Sequence, residues 1–186
     1  MPIVALSQIL QPDEFLWSAN RTLKKEDYKI LVYDKDATIR SSITLSWQLK
    51  GFSVFNKNFN QNVLNKFSGN SSAINPDNPN IETLLEYQQA SFDLAEIFAR
   101  KMRRDLLINK NKLWTGFDYA NQSLNQAMSD FTRIQIIMDQ ETSQGSNSVQ
   151  FNIWKQKIKK ELDDLSEFDY NNKSKIKNKH VSADII

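Results

Sequence analysis

The chain has 186 residues, of which 40% are hydrophobic, and a formal net charge of +2. It has no cysteine and one histidine, His180, so disulfides, zinc-thiolate sites, thiol nucleophiles and multi-histidine metal sites are excluded. The small net charge provides no global attraction to nucleic acid or to a membrane, and such a role would need a local patch of charge.

Common catalytic motifs and membrane spans are also missing from the sequence. It contains no P-loop, no GxGxxG and no GxSxG, the motifs that mark nucleotide-binding sites and serine hydrolases. No apolar run approaches the roughly 20 residues of a membrane-spanning helix. We therefore expect a non-enzymatic protein that needs no cofactor and no metal and does not enter a membrane. The lack of cysteine fits the cytoplasm or another reducing compartment.

Residues 1–26 contain the first predicted element, a helix that begins near Pro12. Proline is common in the first turn of a helix, and Asp13 and Glu14 place negative charge where the helix dipole favours it. The apolar residues that follow recur at helical spacing. They are Phe15, Leu16, Ala19 and Leu23.

Residues 27–55 are predicted to form a strand, a helix and a second strand. The apolar run at residues 30–33 is typical of a strand that is buried on both faces. Residues 37–50 carry one apolar face, and Gly51 stands where a helix commonly ends. The residues on this face are Ile39, Ile43 and Trp47, with Leu45 and Leu49 beside them. Residues 54–55 begin the second strand, and this order and size predict a right-handed βαβ unit.

Residues 56–80 are rich in Asn, Ser, Gly and Pro, which is typical of loops, whereas the pattern from residue 81 to residue 168 is helical. Three segments show apolar residues at alternating spacings of three and four. The first seam is Leu85, Gln88, Phe92, Ala95, Ala99, Met102 and Leu106. The second is Phe117, Ala120, Leu124, Ala127, Phe131, Ile134 and Met138, and the third is Phe151, Trp154, Ile158, Leu162 and Leu165. Short loops between the segments favour antiparallel neighbours.

The predicted fold is therefore α+β and mainly helical, with a small N-terminal βαβ portion followed by an antiparallel three-helix bundle. The predicted domains are residues 1–80, an α/β portion, and residues 81–168, the helical bundle. Residues 169–186 are predicted to be a polar basic tail.

Residues 29–55 resemble the first βαβ unit of response-regulator receiver domains. The resemblance lies in "KILVYD", in "ATIR" and in the glycine that ends the predicted helix. In that family, acidic residues after the first strand hold Mg²⁺ beside an aspartate that accepts a phosphoryl group, so the resemblance makes Asp34 and Asp36 candidate metal ligands. Lys35 places a cation at the position of the second acid, and Asp77 is the only candidate acceptor. The resemblance therefore implies a degenerate receiver that takes up no phosphate.

Two other interpretations of this stretch stay open. A parallel βαβ unit of any origin has the same pattern, and Asp34 and Asp36 would then cap the start of its helix. The other is a working phosphoryl-accepting regulator, which needs the metal, the acceptor and a charge-stabilising lysine placed together.

Residues 93–112 carry a run of basic residues, and an aromatic residue follows it. These residues are Arg100, Lys101, Arg103, Arg104, Lys110, Lys112 and Trp114. Basic residues beside an aromatic ring are typical of proteins that bind single-stranded nucleic acid. The alternative is a solvated face on which Glu96 and Arg100 form an i,i+4 pair. In either case we expect Arg100, Arg103 and Arg104 to face outward together.

Residues 79–119 also resemble the coat proteins of rod-shaped plant viruses. The octad "DLAEIFAR", residues 93–100, is similar to the D-x-A-x-x-x-A-R helix of that family, with "NPNIETL" before it and "GFDY" after it. That helix faces RNA in the family, so the resemblance implies an RNA-coating role.

The sequence thus favours a non-enzymatic regulatory or protein-interaction protein. It would combine a degenerate receiver-like element with a helical surface that binds a protein partner or a second copy of the chain. The alternative is a nucleic-acid-binding or coat-like structural protein that uses the helix at residues 93–112.

Overall fold

The computed structural model describes residues 10–34, 39–48 and 57–176. Within these ranges the strands come first and three long helices follow. The strands are β1 (Glu14–Leu16), β2 (Ile30–Leu31), β3 (Ile39–Arg40), β4 (Ile43–Trp47), β5 (Val63–Ser68) and β6 (Ala73–Ile74). The helices are α1 (Ile81–Ile108), α2 (Asp118–Thr142) and α3 (Ser148–Asp164). The predicted α+β class is confirmed, and none of these three helices is both long and apolar enough to cross a membrane.

The strands form two small sheets. In the first, β5 lies between β1 and β4 and pairs antiparallel with both. In the second, β6 lies between β2 and β3, pairing parallel with β2 and antiparallel with β3. β5 is buried along most of its length, because two strands flank it and α1 packs against it.

The helix predicted for residues 37–50 is wrong in the part that the structure describes, where β3 and β4 stand instead. Ile43, Leu45 and Trp47 are two residues apart, so their pattern suits a strand as well as a helix. The β-branched residues of this segment favour the strand. Pairing with β5 then fixes the register, in which Ile43 lies opposite Phe67.

The strand predicted at residues 30–33 forms only at β2, and it is not buried. β2 lies at the edge of its sheet, and the side chain of Leu31 is 53% exposed. In the described residues β2 pairs with β6, so the predicted βαβ order is not observed there. Gly51 and the second strand predicted at residues 54–55 lie outside the described residues.

The helix predicted to begin near Pro12 is wrong, because the chain there forms β1. The ring of Phe15 stacks on that of Phe67 in β5, with centroids 5.1 Å apart. The Lys66 ammonium donates to the Glu14 carboxylate at 3.2 Å. Cross-strand contacts of this kind stabilise a strand, and helical spacing within one segment cannot reveal them.

The three helices predicted between residues 81 and 168 are confirmed. α1 buries most of its apolar seam. α2 is covered less, since only four of its 25 residues are buried and Leu124, Phe131 and Ile134 are partly buried. The helices pack against one another in pairs, and their arrangement as an antiparallel bundle stays a prediction.

Two apolar cores form where the sheets pack on α1. The larger core joins Leu45, Phe59 and Val63 with residues of all three helices. The smaller core joins Phe67 with Phe92 and with side chains from the segment after β1. Both cores contain residues from either side of the boundary predicted at residue 80, so the two predicted parts are packed against each other.

The start of the tail predicted at residues 169–186 packs on the rest of the protein. Ile176 is buried. The side-chain amide of Asn58 donates to the carbonyls of Asn172 at 3.1 Å and Ser174 at 2.6 Å. The Asn-rich segment therefore binds distant main-chain carbonyls, which its loop-like composition did not predict. The last ten residues of the tail lie outside the described ranges.

Candidate functional site

Arg103 lies in the interior and is hydrogen-bonded to three different segments. Its side chain is 1% exposed, and Nη1 donates to Glu96 Oε1 at 2.6 Å and to the carbonyl of Phe168 at 2.9 Å. Nε and Nη2 both donate to the carbonyl of Val63, at 3.2 and 2.8 Å. Arg103 thus connects α1 with β5 and with the segment after α3.

Arg100 is buried beside Arg103 and shares the same carboxylate. Its Nε donates to Glu96 Oε1 at 3.2 Å, Nη1 donates to the carbonyl of Leu162 at 2.7 Å, and Nη2 pairs with Asp169. Burying an unpaired charge is costly, so two buried guanidinium groups require such partners.

The expectation that Arg100, Arg103 and Arg104 face outward together is therefore wrong for the first two. The predicted Glu96–Arg100 pair does form, although it lies in the interior and not on a solvated face. The sequence shows Glu96 one turn before Arg100 and two turns before Arg103. It does not show the carbonyl groups of distant segments that complete the pairing.

The other residues of the predicted nucleic-acid set lie at or near the surface. They are Lys101, Arg104, Lys110, Lys112 and Trp114. Lys101 pairs with Glu161 at 2.7 Å, and the side chain of Trp114 is 63% exposed. The predicted set is divided between the interior and the surface, so its seven residues do not form one continuous basic face.

Asn75 connects two of the acids that the receiver resemblance singles out. Its Nδ2 donates to the carbonyl of Asp34 at 2.9 Å, and its Oδ1 accepts from the main-chain N–H of Asp77 at 3.0 Å. Asp36 and Lys35 lie outside the described residues. Among the residues that the structure does describe, no group of three or more His, Asp or Glu side chains is arranged to hold a metal ion.

A cavity of about 1210 Å³ opens between residues 17–26, α1 and α3, and we call it the Asp93 pocket. Its buried and half-buried lining includes Trp17, Leu85, Gln89, Asp93, Ile158 and Leu162. The basic side chains at its rim are Arg21, Lys24, Lys25, Lys155 and Lys159. The acidic side chains there are Glu26, Glu82, Glu86 and Asp163. Arg100 and Asp169, which pair with each other, line the pocket as well. Opposite charges therefore surround a partly apolar interior.

Asp93 accepts two hydrogen bonds in this pocket, both at the same oxygen. Trp17 Nε1 donates to Oδ1 at 2.7 Å, and Gln89 Nε2 donates to Oδ1 at 2.7 Å. Burial raises the pKa of the Asp93 carboxyl, the two hydrogen bonds oppose the rise, and the negative charge of Glu96 adds to it. A carboxyl with a raised pKa in a cavity is a candidate for binding.

A second cavity of about 800 Å³, which we call the helix groove, lies between α1, α2 and α3. The apolar side chains that line it include Leu94, Ile97, Phe98, Ala127, Ile134 and Ile158. The basic ones are Lys101, Arg104, Arg133 and Lys157, and the acidic ones are Asp105, Asp130 and Glu161. Asp105 accepts hydrogen bonds from the hydroxyls of Tyr119 and Ser123, both at 2.8 Å. These bonds connect the end of α1 with the start of α2.

Sequence reasoning missed the roles of Trp17 and Gln89, although Asp93 was part of the coat-like octad. Gln89 and Asp93 are four residues apart on a predicted helix, which was a visible signal for a side-chain pair. Trp17 comes from a segment that was predicted to be helical, 76 residues away from Asp93. Nothing in the sequence indicated that it would lie there.

Comparison with models of known protein families, with curated proteins and with solved structures found no match. The resemblances to receiver domains and to coat proteins therefore stay hypotheses, which rest on the residues quoted for them. The function has to be inferred from the cavities and surfaces of the chain itself.

Proposed function

We propose that this protein is a non-enzymatic interaction protein that associates with a second copy of itself through the helix groove. The observation that carries the proposal is the open groove between three helices, with apolar side chains inside and charged side chains around them. Such a surface is suited to burying apolar area against a partner while its charged margin sets the orientation.

The state of α2 supports this proposal. Leu124, Phe131 and Ile134 lie on its core-facing side and are only partly buried, and Met128 is exposed. A helix that leaves part of its apolar stripe in contact with water gains free energy when another surface covers that stripe. Of these residues Ile134 lines the groove, so association over the groove would cover that part of the stripe.

The charges of the groove favour a second copy as the occupant. Four basic and three acidic side chains line it, so their charges nearly cancel, with a difference of +1. Around a two-fold axis the same patch meets itself, and a patch of mixed charge can exchange its pairs within one chain, Lys101–Glu161 and Arg133–Asp130, for pairs with the other copy. A surface with charges of a single sign would repel its copy, whereas the helix groove carries both signs.

Sedimentation velocity over a concentration series tests the proposal. We expect a concentration-dependent dimer or larger assembly, and Ile134→Glu should shift it to the monomer because it places a charge in the groove. Ile136→Glu is the matched control, since Ile136 is 52% exposed and does not line the groove. A monomer at about 100 μM, which corresponds to an association free energy weaker than about −5.5 kcal/mol, would contradict the proposal. Equal effects of the two variants would contradict it as well.

The alternative function is nucleic-acid binding or coating through residues 93–112. The exposed positions of Lys110, Lys112 and Trp114 favour it, while the burial of Arg100 and Arg103 removes them from the expected contacts. If this alternative holds, the double change Lys110→Gln and Lys112→Gln should flatten the slope of log affinity against log salt by about two units. An unchanged slope with a single-stranded oligonucleotide would leave self-association as the function.

A further inference from the structure

The carboxylate of Asp93 has one oxygen that no donor in the described ranges reaches. Both of its hydrogen bonds, from Trp17 and from Gln89, end at Oδ1. Two donors use the lone pairs of that oxygen, and both donors are neutral. Oδ2 is left without a partner, in a residue that lines a cavity.

Asp93 lies beside a network of ion pairs but takes no part in it. Arg100 and Arg103 share the carboxylate of Glu96, and Arg100 also pairs with Asp169. The charged side chains that line the whole pocket sum to zero, six basic and six acidic, but Asp93 forms no ion pair within the described residues. A half-buried charge that lacks a partner costs free energy, which a bound cation would recover.

We propose that the Asp93 pocket binds the guanidino or amino group of an arginine or lysine side chain on a peptide segment. One N–H group of the ligand would donate to Asp93 Oδ2, while Trp17 and Gln89 hold Oδ1 and so fix the orientation of the carboxylate. The apolar stem of the bound side chain would lie against Leu85 and Ile158, which are buried in the lining.

The rim of the pocket favours a peptide over other cationic or charged ligands. The five basic side chains of the rim and the buried Arg100 would repel a polyamine, which carries positive charge along its whole length, more strongly than a ligand with a single cation. The four acidic side chains of the rim, together with Asp93 and Asp169, would repel a nucleic-acid backbone. A peptide that carries a single cation on a neutral main chain avoids both, and a cavity of about 1210 Å³ has room for several residues.

This inference does not rest on self-association through the helix groove. The two cavities share the side chain of Ile158, but Asp93 and Trp17 line only the Asp93 pocket. A protein that fails to self-associate can still bind the peptide, and the reverse also holds.

The test follows the indole N–H signal of Trp17 in ¹H–¹⁵N correlation spectra of the full chain, since this N–H donates to Asp93. The probes are two blocked tripeptides, acetyl-glycyl-arginyl-glycine amide and its neutral isostere with citrulline. We expect a saturable shift of the Trp17 signal with the arginine peptide and none with the citrulline peptide. Butylguanidine, which carries a single guanidinium group and no peptide main chain, should bind more weakly than the arginine peptide, and equal affinities would mean that the pocket binds free guanidines and not a peptide.

Two variants make the test specific for Asp93. Asp93→Asn keeps an acceptor for Trp17 and Gln89 but removes the charge. It should lower the affinity for the arginine peptide by a factor of about ten to a hundred. Asp163→Asn removes an exposed carboxylate from the rim of the same pocket and should change the affinity by less than about threefold.

Three other results would overturn the proposal. They are a Trp17 signal that does not move at about 20 mM arginine peptide, equal shifts with the arginine and citrulline peptides, and equal losses in the two variants. The comparison of the two peptides needs no variant, so it decides the question even if Asp93→Asn does not fold.

Discussion

Trp17 and Asp93 are 76 residues apart in the chain and are joined by a hydrogen bond of 2.7 Å from the indole Nε1 to Oδ1. The bond fastens the segment after β1 to the middle of α1. Because the acceptor is a carboxylate, a bond of this kind contributes about 1.5–3 kcal/mol. It also forms one wall of the Asp93 pocket, so the fold and the candidate binding site depend on the same contact.

Trp17→Phe should lower the free energy of unfolding by about 2–4 kcal/mol, because it removes this bond and leaves part of the indole volume empty. Trp47→Phe is the matched control, since Trp47 Nε1 donates to the neutral Asn121 Oδ1 at 3.0 Å in an exposed position. We expect that control to cost less than about 1 kcal/mol. Urea unfolding measures both losses, and equal losses would show that the Trp17 bond carries no extra stability.

Asp93→Asn should change how stability depends on pH. The pKa of Asp93 in the folded protein lies above its ordinary value of 3.8, so just above that value the folded state holds a proton that the unfolded state has lost. Stability contributed by this group therefore falls as the pH rises through the window that begins near 3.8, and below the window the penalty is absent. The variant lacks this group and should not show the fall.

The measurement is the unfolding free energy of Asp93→Asn minus that of the unchanged protein, taken from about pH 3 to about pH 7. We expect this difference to grow as the pH rises. Asp163→Asn, an exposed acid on the same rim, should give a nearly flat difference. A difference for Asp93→Asn that stays constant or falls with rising pH would mean that burial does not raise the pKa of this carboxyl.

Arg103→Met should lower the free energy of unfolding by about 3–5 kcal/mol, because it leaves Glu96 and two main-chain carbonyls without their shared donor. Arg104→Met changes the next residue of the same helix, which is half-buried and forms no ion pair within the described residues. Its loss should stay within about 0.5 kcal/mol. Chemical unfolding of both variants tests whether the side chain of Arg103 is buried. A small loss of unfolding free energy in both variants would mean that both arginines lie at the surface.

Phe131→Ala should cost less than the same change at a fully buried ring. Phe131 is half-buried and lies 6.3 Å from Phe98 between ring centroids, so we expect a loss of about 1–2.5 kcal/mol. Phe92 is buried in the smaller core, so Phe92→Ala should lower the free energy of unfolding by about 3–5 kcal/mol. Thermal unfolding of the two variants at one low concentration compares them. A larger loss of stability for Phe131→Ala than for Phe92→Ala would contradict the finding that α2 is only partly buried.

The helices were predictable because their apolar residues keep a spacing of three and four over many turns, which no strand can use. Apart from β2, which forms part of the strand predicted at residues 30–33, the strands were not predicted, and β4 and β1 show two reasons. In β4 the apolar residues fit both periods, and pairing with β5 decides between them. In β1 the contact of Phe15 with Phe67 joins segments far apart in the chain, where local propensity is overridden by tertiary packing.

The candidate sites were predictable only in their helical part. The sequence places Glu96, Arg100 and Arg103 on neighbouring turns, and it identified the first pair correctly. It could not show that the carbonyls of Val63 and Phe168 surround Arg103, because main-chain acceptors leave no mark in a sequence. Because the sequence does not show these acceptors, Arg100 and Arg103 were predicted to face outward, whereas they form a buried network of charges.

Chemical cross-linking between copies tests most directly whether the helix groove is a self-association surface. The chain has no cysteine, so a single one can be introduced at Gln126, which is exposed and lines the groove, or at Asn125, which is exposed and does not. The two positions point about 100° apart on α2. With a short bis-maleimide, the Gln126→Cys protein should form covalent dimers about tenfold faster than the Asn125→Cys protein. Equal rates, or no dimer from either protein, would contradict self-association through the groove.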